Sequence, residues 1–366
     1  MLKNELDTPS LILDLDLFEQ NHRKVRSLAE AAGKKLRPHA KTHKCPDIAK
    51  LQSASGGCVG VCAAKLSEAE KLADAGISDI LITSPVAAPW KIARLPELDR
   101  RSPGLMITAD HPDQVRALAR TAAGSGRRLR ILVDVDPEMG RTGVAFSEAP
   151  EFAGLIASYP SLELVGMQCY AGHLQHIPSW EERRKTDLRL MEKAAAVFRR
   201  IRSAIPSCRI FTGTGTGTLP ADLNIPELTD VQVGSYGFMD SEYLAVEHGC
   251  GAFLPALRIV TSVISANHRN FATVDAGTKA VYVTPGAPPR VIRGNGFLPG
   301  WEYDWSFGDE HGRVVHPEGE VLRPGDRLEM CVSHCDPTIN LFDVIYGCRG
   351  DEVERCFPVT LRGCCR

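Results

Sequence analysis

The sequence of 366 residues contains no stretch of about 18 consecutive apolar residues, so no membrane-spanning helix is expected. The segment Met1–Pro9 has no apolar core of signal-peptide length, and we expect a cytoplasmic protein. The formal net charge is only −2 and no long basic run occurs, which argues against nucleic acid as a partner. What remains is a hydrophobic content of 43% and a charged content of 24%, the composition of an ordinary globular protein.

The 12 cysteines lack the arrangement of a disulfide framework or of a structural zinc site. They are scattered over a long chain, whereas disulfide frameworks belong to short secreted chains. Cys58 and Cys62 are close in sequence, but no second clustered pair completes a zinc site. Cys364 and Cys365 are adjacent, and a mutual disulfide between them would be strained. We therefore expect most of these thiols to be reduced.

Short apolar runs alternate with longer amphipathic segments over the first two-thirds of the chain, which is the pattern of repeated βα units. Helices are predicted at Asp16–Ala32, Ser67–Ala75, His111–Ala122 and Ser179–Ala204. Strands are predicted at Ser10–Leu15, Val59–Ala63, Asp79–Thr83, Gly104–Thr108, Leu129–Val135, Leu162–Cys169, Arg209–Thr212 and Val231–Tyr236. This strand count predicts an α/β fold with a (β/α)8 TIM-type barrel over residues 1–250, whose first residues lie either in the barrel or against a second domain.

The pattern changes near Gly249–Pro255. From there, β-branched runs and turns follow one another almost without helical periodicity, which predicts a mostly antiparallel β-domain over residues 251–366. Its predicted strands are Leu257–Ile264, Phe271–Asp275, Val281–Thr284, Val314–His316, Arg327–Val332, Val344–Arg349 and Val353–Pro358.

Lys41 lies in the segment Leu36-Arg-Pro-His-Ala-Lys-Thr-His-Lys44, near the end of a predicted strand. We expect its neighbours His39, His43 and Lys44 to lower its pKa, which would keep more of the amine neutral and nucleophilic. Such a lysine suits a Schiff base. Taken alone, the segment is better explained as a solvated basic turn, and only the motifs below favour the catalytic interpretation.

The run Thr212–Thr218 alternates threonine and glycine directly after a predicted strand. Glycine lets the backbone approach an anion and threonine supplies hydroxyl donors, and the late loops of a βα barrel often bind phosphate. No Gly-Lys-Ser/Thr follows, so this is not a Walker loop, and a flexible turn is the alternative. The predicted phosphate cradle consists of Thr214, Gly215, Thr216, Gly234, Ser235 and Tyr236.

Arg141 follows the strand predicted at Leu129–Val135 and is expected on the same face of the barrel. A guanidinium beside the pyridine nitrogen of a cofactor would keep that nitrogen unprotonated. A salt bridge to Asp134 or Asp136 is the alternative role for Arg141.

The segment Gln168–His176 closes another predicted strand. Tyr170 is expected to pack beside the cofactor. His173 or His176 can act as a base near neutral pH, and we favour His176, although both histidines would also fit a structural role.

His334 and Asp336 are separated by one residue at the end of a predicted strand, so their side chains are expected on one face and Cys335 on the other. An imidazole and a carboxylate suit a divalent ion such as Mn, Mg, Co or Zn, with open positions for water or substrate. A chance triplet is the alternative in isolation. A Schiff-base lysine, a phosphate cradle and a metal pair together predict pyridoxal 5′-phosphate (PLP) with a divalent metal.

These residues resemble the PLP enzymes of the alanine-racemase fold type (fold type III), in the family of D-threonine aldolase, D-3-hydroxyaspartate aldolase and D-serine dehydratase. The resemblance implies Lys41 as the Schiff-base lysine, Arg141 at the pyridine nitrogen and His176 as the catalytic histidine. It also implies His334 and Asp336 as metal ligands, an amino-acid substrate and a homodimer. It extends over nearly the whole chain, and its sharpest marks are Arg37–Lys44, Gly213–Gly217, Gly234–Asp240 and His334–Thr338.

The branch of the family is indicated by the metal pair. The dehydratase branch resembles His-x-Cys and the aldolase branch His-x-Asp, so this chain is expected to cleave D-β-hydroxy-α-amino acids to glycine and an aldehyde. Tyr170–His173 is similar to the dehydratase branch, which leaves dehydration of D-serine or 3-hydroxyaspartate as the alternative. A metal-free racemase and a non-catalytic PLP carrier are the remaining candidates.

Overall fold

The computed structural model describes all residues, Met1–Arg366, as two sheets connected and covered by helices. The helices are α1 (Leu15–Ala31), α2 (Pro46–Ala54), α3 (Leu66–Asp74), α4 (Pro89–Ile92), α5 (Leu95–Arg101), α6 (Pro112–Gly124), α7 (Ala149–Ala157), α8 (Trp180–Ala204), α9 (Leu219–Asp222), α10 (Ser241–Leu244) and α11 (Cys335–Ile339). Short 3₁₀ turns occur at Lys3–Glu5, Gly172–Leu174 and Ser235–Gly237. None of the helices combines the length and apolar character needed to cross a membrane.

The strands are numbered along the chain. They are β1 (Ser10–Asp14), β2 (Lys35–Leu36), β3 (Val61–Ala63), β4 (Ile80–Ile82), β5 (Met106–Ala109), β6 (Leu129–Val135), β7 (Leu162–Cys169), β8 (Ile210–Gly213), β9 (Asp230–Val231), β10 (Leu257–Ser265), β11 (Phe271–Val274), β12 (Arg290–Arg293), β13 (Gly296–Phe297), β14 (Glu302–Asp304), β15 (Gly312–Val315), β16 (Arg327–Cys331), β17 (Val344–Arg349) and β18 (Glu352–Pro358).

The first sheet is parallel and has eight strands in the order β2-β9-β8-β7-β6-β5-β4-β3. Two parallel bridges, Leu36 with Cys58 and His39 with Cys62, join its two ends. The sheet therefore curls back on itself as a TIM-like barrel, which confirms the predicted fold class. In such a barrel the carboxyl ends of the strands meet at one rim, and the loops that follow them surround the site described below.

Ser10–Leu15 is one of the eight strands predicted for the barrel, but of the two locations left open for the first residues the structure has the one against the second domain. β1 pairs antiparallel with β10 and parallel with β17, and so belongs to the second sheet. The first barrel strand is instead β2, which is only two residues long. The strand predicted at Val231–Tyr236 is also too long, because β9 ends at Val231 and a 3₁₀ turn follows.

The second sheet has ten strands and, apart from the β1–β17 pair, is antiparallel. Its main path is β13-β12-β16-β10-β1-β17-β18, and β11, β15 and β14 extend from β10. The predicted antiparallel domain is thus confirmed as a fold class. The strand predicted at Val281–Thr284 is wrong, since only an isolated bridge between Thr284 and Ala287 forms there.

A buried apolar cluster joins the second sheet to the rim of the barrel. It includes Leu13 of β1, Phe238 after β9 and Ile339 of α11, and all three side chains are fully buried. α1, which enters the barrel from β1, begins where the Asp14 side chain accepts a hydrogen bond from the Leu17 backbone N–H. This packing brings α11 and the residue before it, His334, to the loops that follow β9.

Candidate active site

A cavity of about 460 Å³ lies at the carboxyl ends of the barrel strands. Its wall includes loops that follow β2, β4, β6, β7, β8 and β9, so it is assembled from segments far apart in the sequence. The predicted site residues that line this cavity are Lys41, Arg141, Tyr170, Thr214, Gly215, Thr216, Gly234 and Ser235.

Lys41 lies in a turn beyond β2, and its side chain is 40% exposed. Its Nζ forms an ion pair with Oδ2 of Asp336. Asp336 belongs to α11, which packs against the second sheet. Burial lowers the pKa of Lys41, but the carboxylate of Asp336 and the nearby Tyr170 raise it more, so the net pKa lies above its ordinary value. The expectation that its neighbours lower this pKa is wrong.

The neighbours of Lys41 do not supply the expected positive charge. Burial, reinforced by Lys41, lowers the pKa of His39 well below its usual range, and burial lowers the pKa of His43 to about 4. Both imidazoles are therefore neutral near pH 7. Lys44 is compensated by a buried ion pair with Glu68, at 2.6 Å between Nζ and Oε1.

The glycine–threonine loop, Thr212–Thr218, borders the cavity with an unpaired buried hydroxyl. Thr214 has φ of 79°, a left-handed conformation that is unfavourable for a β-branched residue. Its Oγ1 is buried without a hydrogen-bond partner. At Gly215, an added Cβ would lie 2.2 Å from Oε1 of Gln175, and at Gly234 it would lie 2.3 Å from Oγ1 of Thr42. Only glycine fits at these two positions.

Arg141 is exposed and makes no ion pair. Its guanidinium carbon lies 5.3 Å from the centroid of the Tyr170 ring. The alternative salt bridge to Asp134 is not formed, because that carboxylate accepts hydrogen bonds from Gln168 Nε2 and Thr142 Oγ1, each at 2.8 Å. Arg141 is thus free to meet a group bound in the cavity.

His334 and Asp336 have a different local structure from the one predicted. They do not alternate along a strand, because His334 precedes α11 and Asp336 lies in its first turn. His334 Nδ1 lies 3.0 Å from Oδ2 of Asp240 and 3.3 Å from Oε2 of Glu242. Burial lowers the pKa of His334, but the hydrogen bond and charge of Asp240 raise it above its ordinary value overall.

The carboxylate of Asp336 keeps one oxygen free of any partner. Burial raises the pKa of Asp336, but the charges of Lys41 and His334 and the hydrogen bond from Lys41 together lower it below its ordinary value, so the group is ionised at neutral pH. Oδ2 pairs with Lys41, whereas Oδ1 is buried without a hydrogen-bond partner.

His176 lies beside the carboxylate of Glu242, which is also close to His334. Its Nε2 lies 3.6 Å from Oε2 of Glu242, and its ring centroid lies 4.6 Å from that of Tyr243, which lines the cavity. Burial is the main reason that the pKa of His176 is lowered, which favours the neutral ring. His173, the other candidate, is exposed in the 3₁₀ turn Gly172–Leu174.

Tyr236 does not reach the cavity with its side chain. The ring is buried, and its hydroxyl is 2.7 Å from His22 Nδ1 and accepts from Gln52 Nε2 at 3.1 Å. Its backbone N–H donates to Thr216 Oγ1 at 3.1 Å. Only the backbone of Tyr236 therefore contacts the predicted cradle.

Comparison with known proteins agrees with this geometry. Residues 13–242 match the model of the alanine racemase N-terminal domain, and residues 256–348 match that of a putative serine dehydratase domain. A 3-hydroxy-D-aspartate aldolase of Paracoccus denitrificans (strain Pd 1222) is 38% identical, over 99% of this chain and 94% of that protein. A D-threonine aldolase of Arthrobacter sp. is 35% identical, over 98% of this chain and 93% of that protein.

A solved structure shows the same fold. The crystal structure of D-threonine aldolase from Filomicrobium marinum superposes with a TM-score of 0.93 at 34% identity, covering 99% of this chain and 97% of that one. The chain belongs to the D-threonine aldolase and D-serine dehydratase family, with the alanine-racemase fold. As a member of this family it is a PLP-dependent enzyme, an aldolase of the lyase class.

The cavity of this aldolase fits PLP. The glycine–threonine loop lines the cavity with Thr214, Gly215 and Thr216, and together with Gly234 and Ser235 it supplies the backbone N–H groups and hydroxyls that suit a phosphate group. Lys41 supplies an amine at the same cavity, and Arg141 supplies a cation that no carboxylate neutralises.

The aldolase also presents nitrogen and oxygen donors that fit a divalent metal. The contact of His334 Nδ1 with Asp240 leaves Nε2 without a hydrogen bond, and Asp336 Oδ1 is unpartnered. No set of three or more His, Cys, Asp and Glu side chains is arranged to hold an ion.

Sequence reasoning missed Asp240, Glu242 and Tyr243. Asp240 ends a motif noted for its resemblance, yet no role followed from it. A signal was available, because these polar groups come shortly after the last barrel strand, where a βα barrel carries its functional residues.

Proposed function

We propose that this aldolase uses PLP and a divalent metal to cleave D-β-hydroxy-α-amino acids, D-threonine-like or D-3-hydroxyaspartate, to glycine and an aldehyde. The observation that carries the proposal is the direct contact between Lys41 and Asp336 at the rim of the cavity. It brings the candidate cofactor lysine against one of the two candidate metal ligands, although the residues are 295 positions apart. A metal held there would be next to the reacting carbon atoms.

The residues that would hold PLP contact different parts of the cofactor. Lys41 would bind its aldehyde carbon, and the backbone and hydroxyls of Thr214, Gly215 and Thr216 would hold its phosphate with Gly234 and Ser235. Arg141 would keep the pyridine nitrogen unprotonated. When bound, PLP accepts the electron pair of the bond that breaks at Cα.

His334 and Asp336 would hold the metal, and the chemistry it would supply there is that of a Lewis acid on the β-hydroxyl of the substrate. His176 then takes the hydroxyl proton on Nε2. Its lowered pKa keeps the imidazole neutral and ready to accept this proton, and Glu242 at 3.6 Å stabilises the imidazolium that forms. Loss of the proton allows the hydroxyl carbon to leave as an aldehyde.

The substrate side chain that leaves as the aldehyde is proposed from the substrates of the two related aldolases. One of them acts on 3-hydroxy-D-aspartate and the other on D-threonine, at 38% and 35% identity. The two values are too close to separate the substrates, so both belong to the proposal.

Dehydration is the second candidate function, because the match at residues 256–348 is to a putative serine dehydratase domain. In that reaction the β-hydroxyl departs as water, and the amino group is then released as ammonia. Asp336 argues for cleavage, since the sequence resembles the aldolase branch at this position.

The proposal is tested with purified enzyme that has been loaded with PLP and Mn²⁺. D-threonine and D-3-hydroxyaspartate are supplied as substrates in separate reactions. We expect glycine together with acetaldehyde or glyoxylate, and loss of turnover after chelation. Ammonia with a 2-oxo acid would instead support the dehydratase. The matched control is Asp343→Asn, which removes an exposed acid that pairs with Arg362 outside the cavity lining, and this variant is expected to retain full activity.

We propose that the enzyme is a cytoplasmic homodimer that acts on a small molecule. A cytoplasmic location is supported by the 12 cysteines, all of which are free. A homodimer is supported by exposed aromatic side chains on the second sheet's side, Tyr282, Trp305 and Phe307, which a second copy could cover. The near absence of net charge supports a small-molecule substrate rather than nucleic acid. We place the boundary between the PLP-binding barrel and the β-domain near residue 250.

A further inference from the structure

Two aspartates are buried behind the glycine–threonine loop and take no part in the steps above. Asp187 lies on α8 and Asp222 is the last residue of α9, and each is 1% exposed. The two helices pack together, and the two carboxyl groups are within hydrogen-bonding reach of each other. Both oxygens of Asp187 and Oδ1 of Asp222 receive no hydrogen bond from any donor of the chain. These three oxygens are therefore buried without a hydrogen bond, although the Thr214 hydroxyl lies beside Asp222.

No cation forms an ion pair with these carboxyl groups, although the charge of the nearby Arg183 offsets part of the rise in the pKa of Asp187. Arg183, one turn before Asp187 on α8, donates its guanidinium hydrogens to the backbone carbonyls of Gly217, Ile177 and Glu247 instead. Two buried carboxylates without a counter-ion repel each other and lose their hydration, whereas one shared proton converts the repulsion into a hydrogen bond.

The other groups that face the pair are neutral. They are the hydroxyls of Thr214 and Thr218 and the thiol of Cys169, whose pKa is raised well above its usual range by burial and the nearby carboxylates. Burial and the charge of Asp222 likewise raise the pKa of Asp187 far above its ordinary value. A proton is therefore held by the pair at neutral pH.

The pair is connected to the loop by hydrogen bonds. Asp222 Oδ2 accepts from Thr218 Oγ1 at 2.7 Å. The same Thr218 oxygen accepts from Gln175 Nε2 at 3.1 Å and from the Gly215 backbone N–H at 3.4 Å. Because Thr218 has one hydroxyl hydrogen, its donation to Asp222 fixes the direction of both accepted bonds. The position of the Asp222 carboxyl thus controls the shape of the loop.

We propose that Asp187 and Asp222 share one proton, and that this acid pair is the positioning element that holds the glycine–threonine loop in the form that binds the cofactor phosphate. The inference rests on the proposed function in assigning the loop to phosphate. When the proton is lost, the carboxylates separate, Asp222 draws Thr218 away from Gly215, and a second negative charge stands behind an anion site.

The shared proton is tested by infrared difference spectroscopy on the PLP-loaded enzyme. We expect the spectrum of the unmodified protein minus that of Asp187→Asn to contain the C=O stretch of a protonated carboxyl, and this band to shift in D₂O. The control variant is Glu192→Gln, which removes an exposed acid from the same helix and should leave the band in place. Absence of the band from the Asp187→Asn difference would overturn the proposal.

The positioning role is tested by titrating PLP into the apo forms of the same variants between pH 7 and 10. Asp187→Asn supplies a permanent N–H donor to Asp222, so we expect its affinity to stay within about threefold of the unmodified enzyme and to lose less affinity at alkaline pH. Asp187→Ala removes the partner, and we expect affinity to fall about tenfold or more.

Two results would count against the positioning role. One is equal affinity in Asp187→Ala and the unmodified enzyme, and the other is the same alkaline loss of affinity in Asp187→Asn. Should Asp187→Ala fail to fold, the pH profile of Asp187→Asn still decides. The infrared result does not depend on what the loop binds, so failure of the acid pair and failure of the aldolase proposal are distinguishable.

Discussion

Replacing Asp240 with asparagine should weaken metal binding without removing either of the proposed metal ligands, His334 and Asp336. Asp240 is 0% exposed and accepts three hydrogen bonds: Oδ2 from His334 Nδ1 at 3.0 Å and from the Cys335 backbone N–H at 2.9 Å, and Oδ1 from the Tyr243 N–H at 2.9 Å. These contacts fix the His334 ring with its proton on Nδ1, which leaves Nε2 available as the proposed ligand.

The size of the effect follows from those three bonds. An asparagine amide has only one acceptor oxygen, so in either orientation its NH₂ group faces at least one buried N–H donor. Losing one charge-assisted hydrogen bond costs about 1.5–3 kcal/mol. Because about 1.4 kcal/mol corresponds to a tenfold change in a dissociation constant, Mn²⁺ affinity should fall about 10- to 100-fold in Asp240→Asn.

Calorimetric titration of Mn²⁺ into the PLP-loaded enzyme measures this change. The control is Asp343→Asn, which removes an exposed carboxylate of the second domain and should leave Mn²⁺ affinity unchanged. The absorbance spectrum of bound PLP is recorded in parallel and should be the same in both variants. Unaltered Mn²⁺ affinity in Asp240→Asn would refute the argument that Asp240 orients His334 for a metal.

The other predictions concern the cofactor, the metal and the fold. Lys41→Ala should abolish the visible imine absorbance of PLP, and an unchanged spectrum would contradict the role of Lys41. Asp336→Ala should lose most activity while PLP stays bound, whereas full activity of the unmodified enzyme under a chelator would exclude the metal role. Gly215→Ala places a Cβ 2.2 Å from Oε1 of Gln175, which should cost about 1–3 kcal/mol and lower PLP affinity, measured by fluorescence titration, about 5- to 150-fold. Unchanged affinity would exclude a tight cradle. Burial and, to a smaller extent, the charge of Arg26 lower the pKa of His22 from 6.5 to about 4. The unfolded chain therefore binds a proton at His22 at a higher pH than the folded chain does, and the free energy of unfolding should fall as pH decreases from 6.5 to 4. An equal melting temperature at pH 7.5 and pH 5 would contradict this.

The barrel was predictable because its buried strands have a clear local signature, but the assignment of strands to sheets was not. β1 and the barrel strands are both short, apolar and buried, so the sequence does not reveal that β1 pairs with β10 and β17. β2 has only two residues and is followed by Arg37 and Pro38, and proline has no N–H to continue a ladder. Pairing partners are set by tertiary packing, which local periodicity does not encode.

The site shows the same division between local and distant information. The segments around Lys41 and the glycine–threonine loop were found because their chemistry is local. The sign of the Lys41 pKa shift was wrong because the local cations are visible in the sequence, whereas Asp336 is 295 residues away. Asp240 was missed as a partner of His334 for the same reason, since the two side chains meet only in the folded chain.

The most direct test of the central claim is to run the reaction of D-threonine in D₂O and to analyse the products by mass spectrometry. Cleavage of the Cα–Cβ bond followed by protonation of Cα from solvent predicts glycine with one carbon-bound deuterium, together with an equal amount of acetaldehyde. Formation of 2-oxobutanoate and ammonia, or recovery of threonine deuterated at Cα without glycine, would contradict a retro-aldol enzyme.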